Sequence, residues 1–138
     1  AVMDVLKSET GSYGIITPGA DHGQLIEVSG LVEKPEPANA PSNIGVVGRY
    51  IIESEVFAQL GTQDRDAGNE VQLTDALARQ IGKVPLHGFR FSGERFDCGS
   101  KIGFLQANIA FAMSRDDLAE PLASWIKNRM VISQTPTS

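Results

Sequence analysis

The sequence predicts a mixed α/β domain, α+β-like in order, with a β-hairpin first and helices last. Three observations carry this. Two β-rich stretches separated by a Gly/Asp-rich turn come early, a third follows a run of prolines, and the last third of the chain holds apolar residues at helical spacing. A hairpin start is incompatible with a purely parallel sheet, because parallel neighbours need a crossover and not a tight turn.

Taken in order, "YGIITP" (Tyr13 to Pro18) and "QLIEVSGLVEKP" (Gln24 to Pro35) are the hairpin strands, and "GADHG" is the turn between them. After Pro35, Pro37 and Pro41, "SNIGVVGRYII" is dense in β-branched residues but broken by Gly45 and Gly48. Glycine weakens a strand interior, so these two imply close approach by a neighbouring element or by a ligand. "ESEVFAQL" follows as a short helix and "GTQDRDAGNE" as a polar surface loop. In "EVQLTDALARQIG", Leu73, Leu77 and Ile81 recur every four residues along one helix face, which Gly82 terminates. "PLHGFRFSG" reads as a strand carrying Leu86, Phe89 and Phe91.

Ser100 is placed to cap the next helix, whose Ile102, Leu105, Ile109 and Ala112 form an apolar stripe. The last helix carries Leu118, Leu122, Trp125, Ile126 and Arg129. Its start is either an Asp117 cap completed by Glu120 or Pro121 at the first helical position. Residues 1–130 are expected to form one domain, and 131–138 a fraying tail.

At 138 residues and 41% hydrophobic content the chain is long enough for one such core. Its net charge of -5, with no Lys/Arg cluster, excludes a surface built to neutralise nucleic-acid phosphates. No window approaches the roughly 18 apolar residues that span a bilayer, and a single cysteine makes no internal disulfide. No secretory signal is visible at the start, so the chain is expected in the cytoplasm, without membrane or nucleic-acid partners. It opens on Ala1, which suggests a piece of something longer.

Four places offer chemistry. Glu33 and Lys34 are adjacent at a strand end before Pro35, and either form a solvated surface pair or bind a sugar phosphate, the lysine on the phosphate and the carboxylate on hydroxyls. Successive strand side chains point to opposite faces, so the second reading needs a bend there. "SNIGVVGRY" is the second place. The third is "GNEVQLTDA", where Asn69 and Glu70 precede a helix and Thr74 and Asp75 lie in its first turn, a place that the helix dipole alone explains. In the fourth, "FDCGSK", Cys98 lacks a linked base and reads as a packed turn residue, and one Cys with His22 and His87 offers no zinc spacing. Asp97, at a strand end before a helix, either caps the turn or holds a hard cation such as Mg²⁺.

Together and in order, "YGII", "GLVEKP", "APSNIGVVGRYI", "GNEVQLTDAL" and "RFDCGSKIGFLQANIAFA" resemble the carboxy-terminal half of the bacterial UTP-glucose-1-phosphate uridylyltransferase family. The resemblance runs from about Tyr13 to the last helix, and implies a Rossmann-like nucleotidyltransferase fold that makes UDP-glucose and pyrophosphate from UTP and glucose 1-phosphate with Mg²⁺. It implies that Gly14 and Val46 contact glucose through their backbone, that Glu33 accepts hydrogen bonds from sugar hydroxyls, that Lys34 holds the sugar phosphate, and that Asp97 is a metal ligand. Lys34 and Asp97 would then be the catalytic residues.

The family's amino-terminal half, with its glycine-rich loop, uracil pocket and other metal-binding aspartate, has no counterpart in this sequence. The chain is therefore expected to be a fragment, inactive alone, whose open strand edges and apolar faces either drive self-association into a homo-oligomer or are relieved by a rearranged sheet. A stand-alone sugar-phosphate-binding or scaffold module, or a thymidylyl- or adenylyltransferase relative, is the alternative.

Overall fold

The structure, a computed structural model, describes residues 1–62 and 70–132. Its contacts divide the chain into two compact units, Ala1–Ser92 and Gly93–Ser138.

The first unit is built on a five-stranded sheet: β1 (Val2–Asp4), β2 (Gly14–His22), β3 (Leu25–Glu33), β4 (Ile44–Val46) and β5 (His87–Phe89), in spatial order β1-β4-β2-β3-β5. Every strand pairing is antiparallel. A single parallel bridge from Val2 to Arg90 brings the two edges together, so the sheet curls onto itself. The expected mixed α/β class holds.

The hairpin forms where the alternation places it, but β2 runs on through Gly19, Ala20 and Asp21, which the composition marks as turn. Register shifts on either side of Pro18 explain the extension. Proline offers no N–H to the ladder, and bulges let pairing resume beyond it. The buried face of β3 changes phase at the same level, from Ile26 and Val28 to Leu31. The third expected strand is short: β4 stops at Val46, and Gly48 takes φ of +71°, a left-handed conformation that ends the extended run. The sequence reading overlooked β1 and the 3₁₀ helix at Lys7–Ser12.

Helices α1 (Glu55–Thr62) and α2 (Leu73–Ala78) cover the sheet, and Val56, Ala76 and Leu77 join Val2, Ile16, Ile26, Val28, Leu31 and Ile44 in the core. The helical pattern predicted from Leu73 to Ile81 is realised as six residues of α-helix followed by tight turns, with Ile81 N–H bonded to the Ala78 carbonyl. Gly82 takes φ of +85° within these turns, but the α-helix it was expected to terminate has already ended at Ala78. The loop of residues 63–69, including Asn69, lies outside the described residues.

The second unit holds α3 (Lys101–Met113) and α4 (Ala119–Ile132), which pack on each other. Ser100 caps α3 as expected, its Oγ accepting from Gly103 N–H at 3.0 Å. Of the predicted apolar stripe, Ile102, Leu105 and Ile109 are exposed, and Gly103 and Ala107 are the buried residues of the helix. With Phe104 and Phe111 on other faces, α3 is apolar all round, and one neighbouring helix covers a single side of it. Helix α4 starts at Ala119, between the two expected starts. Asp117 does not cap it because Arg115 engages both carboxylate oxygens, at 2.9 and 3.0 Å. Pro121 falls within the first turn, where no N–H is required. Residues 133–138 of the expected tail lie outside the described residues.

Candidate functional site

Gly14 opens β2 and pairs with Glu33, the last residue of β3. On the other side of β2, Ile15 pairs with Gly45, and the next step of that antiparallel register brings Val46 alongside Gly14. Three adjacent strands thus bring Gly14, Glu33, Lys34 and Val46 to one end of the sheet.

Lys34 supplies the bend that the adjacent acid and base require. It is the only non-glycine residue at positive φ among the described residues, at 42°. Its N–H donates to the Tyr13 carbonyl at 3.0 Å, extending the ladder one step beyond the strand. Two neighbours that regular pleating would send to opposite faces therefore lie on one side, with Lys34 Nζ 3.9 Å from Glu33 Oε1. The Glu33 side chain is 23% exposed and that of Lys34 59%, so the carboxylate is sheltered while the ammonium reaches solvent. A left-handed lysine is uncommon and costs about 1–2 kcal/mol, a strain typical of sites that hold a ligand.

Gly14 is confined. A Cβ there would lie 3.1 Å from Glu33 Oε2 and 3.3 Å from both Oγ1 and Cγ2 of Thr74. Gly45 has a different reason: its Cβ would meet Val5 and Tyr13 at 3.1 and 3.3 Å, so packing, and not a ligand, fills the space beside it.

Two residues near Glu33 escaped the sequence reading as site residues. Thr74 was assigned to a helix's first turn, yet its side chain adjoins Gly14. Tyr50 is 40% exposed, and partial desolvation, then the Glu33 charge, push its phenol above the usual range. The signal for each was its motif, "SNIGVVGRY" for Tyr50 and "GNEVQLTDA" for Thr74, where the helix dipole offered a sufficient structural explanation.

Asp97 belongs to the second unit. Its Oδ1 accepts from Gly99 N–H at 3.1 Å, and its carbonyl accepts from Ser100 N–H and Oγ at 3.1 and 3.0 Å. This is the turn-capping role, and it occupies one carboxylate oxygen. Among the described residues no group of three His, Cys, Asp or Glu side chains gathers as a metal site. Cys98, expected to be packed, is exposed and unpaired.

The structure thus sets a glutamate–lysine pair, a confined glycine and a valine at one end of a curled antiparallel sheet. The chain belongs to the nucleotidyl transferase family, whose profile it matches over residues 1–114. Within that family it is 55% identical over 102 residues to the UTP–glucose-1-phosphate uridylyltransferase of Komagataeibacter xylinus, covering 74% of this chain and 36% of that protein. It is 41% identical over 126 residues to the uridylyltransferase of Staphylococcus epidermidis strain RP62A, covering 91% of this chain and 44% of the relative. Solved structures agree. UDP-glucose pyrophosphorylase complexed with UDP-glucose matches with a TM-score of 0.77 at 35% identity, over 83% of this chain and 43% of that one. The UTP-bound enzyme from Acinetobacter baumannii matches with a TM-score of 0.72 at 30% identity, over 98% and 44%. The chain thus spans less than half the length of these relatives.

Proposed function

We propose that this chain is the carboxy-terminal, sugar-phosphate-binding part of a UTP–glucose-1-phosphate uridylyltransferase, and that the whole protein makes UDP-glucose and pyrophosphate from UTP and glucose 1-phosphate. The observation that carries the reading is the convergence of Gly14, Glu33, Lys34 and Val46, with the left-handed Lys34 turning acid and base to one side. Glu33 accepts hydrogen bonds from sugar hydroxyls, Lys34 neutralises the sugar phosphate, and the backbone of Gly14 and Val46 lines the sugar.

In the transfer, a phosphate oxygen of glucose 1-phosphate attacks the α-phosphorus of UTP in line. A P–O bond forms as the α–β anhydride bond breaks, and pyrophosphate carries off the electron pair. The chain's own contribution is to position the nucleophile and balance its charge. Asp97 fits as one ligand of Mg²⁺, an ion that takes one or two carboxylates and completes its shell with water and phosphate oxygens. When bound, the cation supplies charge neutralisation at the phosphates.

The reading includes a cytoplasmic homo-oligomer, with residues 1–130 as one functional part. The exposed Phe104, Phe111 and Trp125 support self-association, and among the described residues no helix is long and apolar enough to cross a membrane. The test is a UDP-glucose synthesis assay on the full-length gene product beside Lys34→Ala and Asp97→Ala. Losses of at least about a hundredfold are expected in both; wild-type rates in either would remove that residue from the mechanism.

A further inference from the structure

Among the described residues of the first unit, two polar side chains are buried, Thr10 and Thr74. Thr10 is satisfied, its Oγ1 donating to the Lys7 carbonyl at 2.9 Å. Thr74 is 6% exposed, and among the described residues its hydroxyl has no hydrogen-bond partner. The local reason is its position. As the second residue of α2, Thr74 has no helical carbonyl one turn earlier to accept its proton, the bond a threonine in mid-helix commonly makes. An unsatisfied buried hydroxyl is costly, and native structures retain few.

This one adjoins the sugar-phosphate end of the sheet. The Thr74 hydroxyl and Glu33 Oε2 lie 3.3 and 3.1 Å from one point, the place a Cβ of Gly14 would take. We infer that Thr74 is a further substrate-binding residue, whose hydroxyl stays unpaired in the free protein in order to hydrogen-bond a sugar hydroxyl beside Glu33. The inference rests on the sugar-phosphate reading of this site and adds to it a specificity-determining group. It accounts for a glycine at position 14, since any side chain there would enter the gap between the two polar groups. It also separates two quantities that a structural threonine would move together. Replacing an unsatisfied buried hydroxyl by a methyl of the same shape relieves a desolvation penalty, so stability should hold or rise while affinity falls.

The test uses the full-length gene product, titrated calorimetrically with α-D-glucose 1-phosphate and melted without ligand, as wild type, Thr74→Val, Thr74→Ser and Glu33→Gln. The expected result is a Thr74→Val chain that melts at or above the wild-type temperature and binds about fivefold or more weakly, with Thr74→Ser within about twofold of wild type. Thr74→Val binding at wild-type strength, or melting clearly lower, overturns the inference, the latter because the hydroxyl would then have a structural partner. Binding that depends on Glu33 but not on Thr74 overturns this inference alone. No binding by the wild type, or binding that Glu33→Gln leaves unchanged, defeats the sugar-phosphate reading itself and takes the inference with it.

Discussion

Gly14 and Glu33 face each other across the β2–β3 ladder so closely that a single added carbon on Gly14 would press on the Glu33 carboxylate at 3.1 Å. The contact is tight without being prohibitive, and its far side is the end of a flexible side chain. Gly14→Ala should therefore fold, with the glutamate pushed aside. We expect a loss of stability of no more than about 1 kcal/mol and a fall in glucose 1-phosphate affinity of about tenfold, as expected for displacing a charged hydrogen-bonding group. Denaturation and calorimetry on the same samples separate the two effects. An alanine variant that binds like wild type would show that the carboxylate has room to spare.

Lys34 carries strain that a glycine would not. At φ 42° any residue with a Cβ is disfavoured, and a β-branched one most of all. Lys34→Gly should match or exceed the parent in stability, by up to about 1 kcal/mol after the greater freedom of its unfolded chain is subtracted. Lys34→Val should lose about 1–2 kcal/mol. Both should abolish UDP-glucose synthesis in the full-length protein, since both lack the ammonium. Equal stabilities of the glycine and valine variants in urea melts would refute the strain.

How far the sequence discloses this site depends on which force shapes each part. The hairpin and the Ser100 cap were legible because period and capping act over a few residues. The length of β2 was not, because bulges around Pro18 override the turn-forming composition of "GADHG". The convergence of Gly14, Glu33 and Val46 depends on register between strands that are far apart in sequence, and only the family resemblance grouped them. For Gly45 the sequence left a neighbouring element and a ligand both open; that Val5 and Tyr13 fill its space depends on the same long-range register. Periodicity identified the apolar residues of α3 correctly, but an amphipathic count cannot name what covers them.

The hairpin tip is tied to β5 by Arg90, whose Nη1 donates to Asp21 Oδ1 at 3.1 Å and to the Gly23 carbonyl at 2.8 Å. The Arg90 hydrogen bond, aided by the Gly23 N–H, holds the Asp21 carboxyl below the ordinary aspartate range. A group whose folded pKa is depressed adds stability that is present above its unfolded pKa and lost as pH falls through the folded one. The contribution should therefore be constant near neutrality and disappear below about pH 4. Because Asp21 is exposed, the effect is small and salt-sensitive. Asp21→Asn should lower neutral-pH melting slightly and leave melting below about pH 4 nearly unchanged, which flattens the acid limb by the same small amount; an unaltered acid limb would show that the pair contributes nothing.

Tyr50 offers a spectroscopic reporter of the site. Its phenol is raised first by burial and second by the Glu33 charge, so the phenolate should form only above pH 10 in the folded chain. Glu33→Gln removes the smaller cause and should bring the titration midpoint part of the way down. Ultraviolet titration of wild type against that variant, with Tyr13→Phe in both to leave one tyrosine, measures the difference. Identical midpoints would place the Glu33 carboxylate too far from Tyr50 to act on it.

The start of α3 rests on a glycine for want of space. A Cβ at Gly103 would fall 2.1 Å from the Asp97 carbonyl oxygen and 2.7 Å from Ser100 Oγ, the two atoms that build the turn before the helix. The first is backbone and cannot swing away, so an alanine must either unwind the first turn of α3 or displace Asp97. Ser100→Ala removes only the cap and should cost about 1 kcal/mol. Gly103→Ala loses the same cap and adds a steric penalty of about 1–3 kcal/mol, despite alanine's higher helix propensity. It should also move the Asp97 carboxylate that the proposed Mg²⁺ role requires. Gly103→Ala in the full-length protein should therefore raise the Mg²⁺ concentration needed for half-maximal synthesis, whereas Ser100→Thr, which keeps the hydroxyl acceptor, should not. A Gly103→Ala protein with wild-type stability and Mg²⁺ dependence would mean that the turn has slack that the close approach of Gly103 to the Asp97 carbonyl denies it.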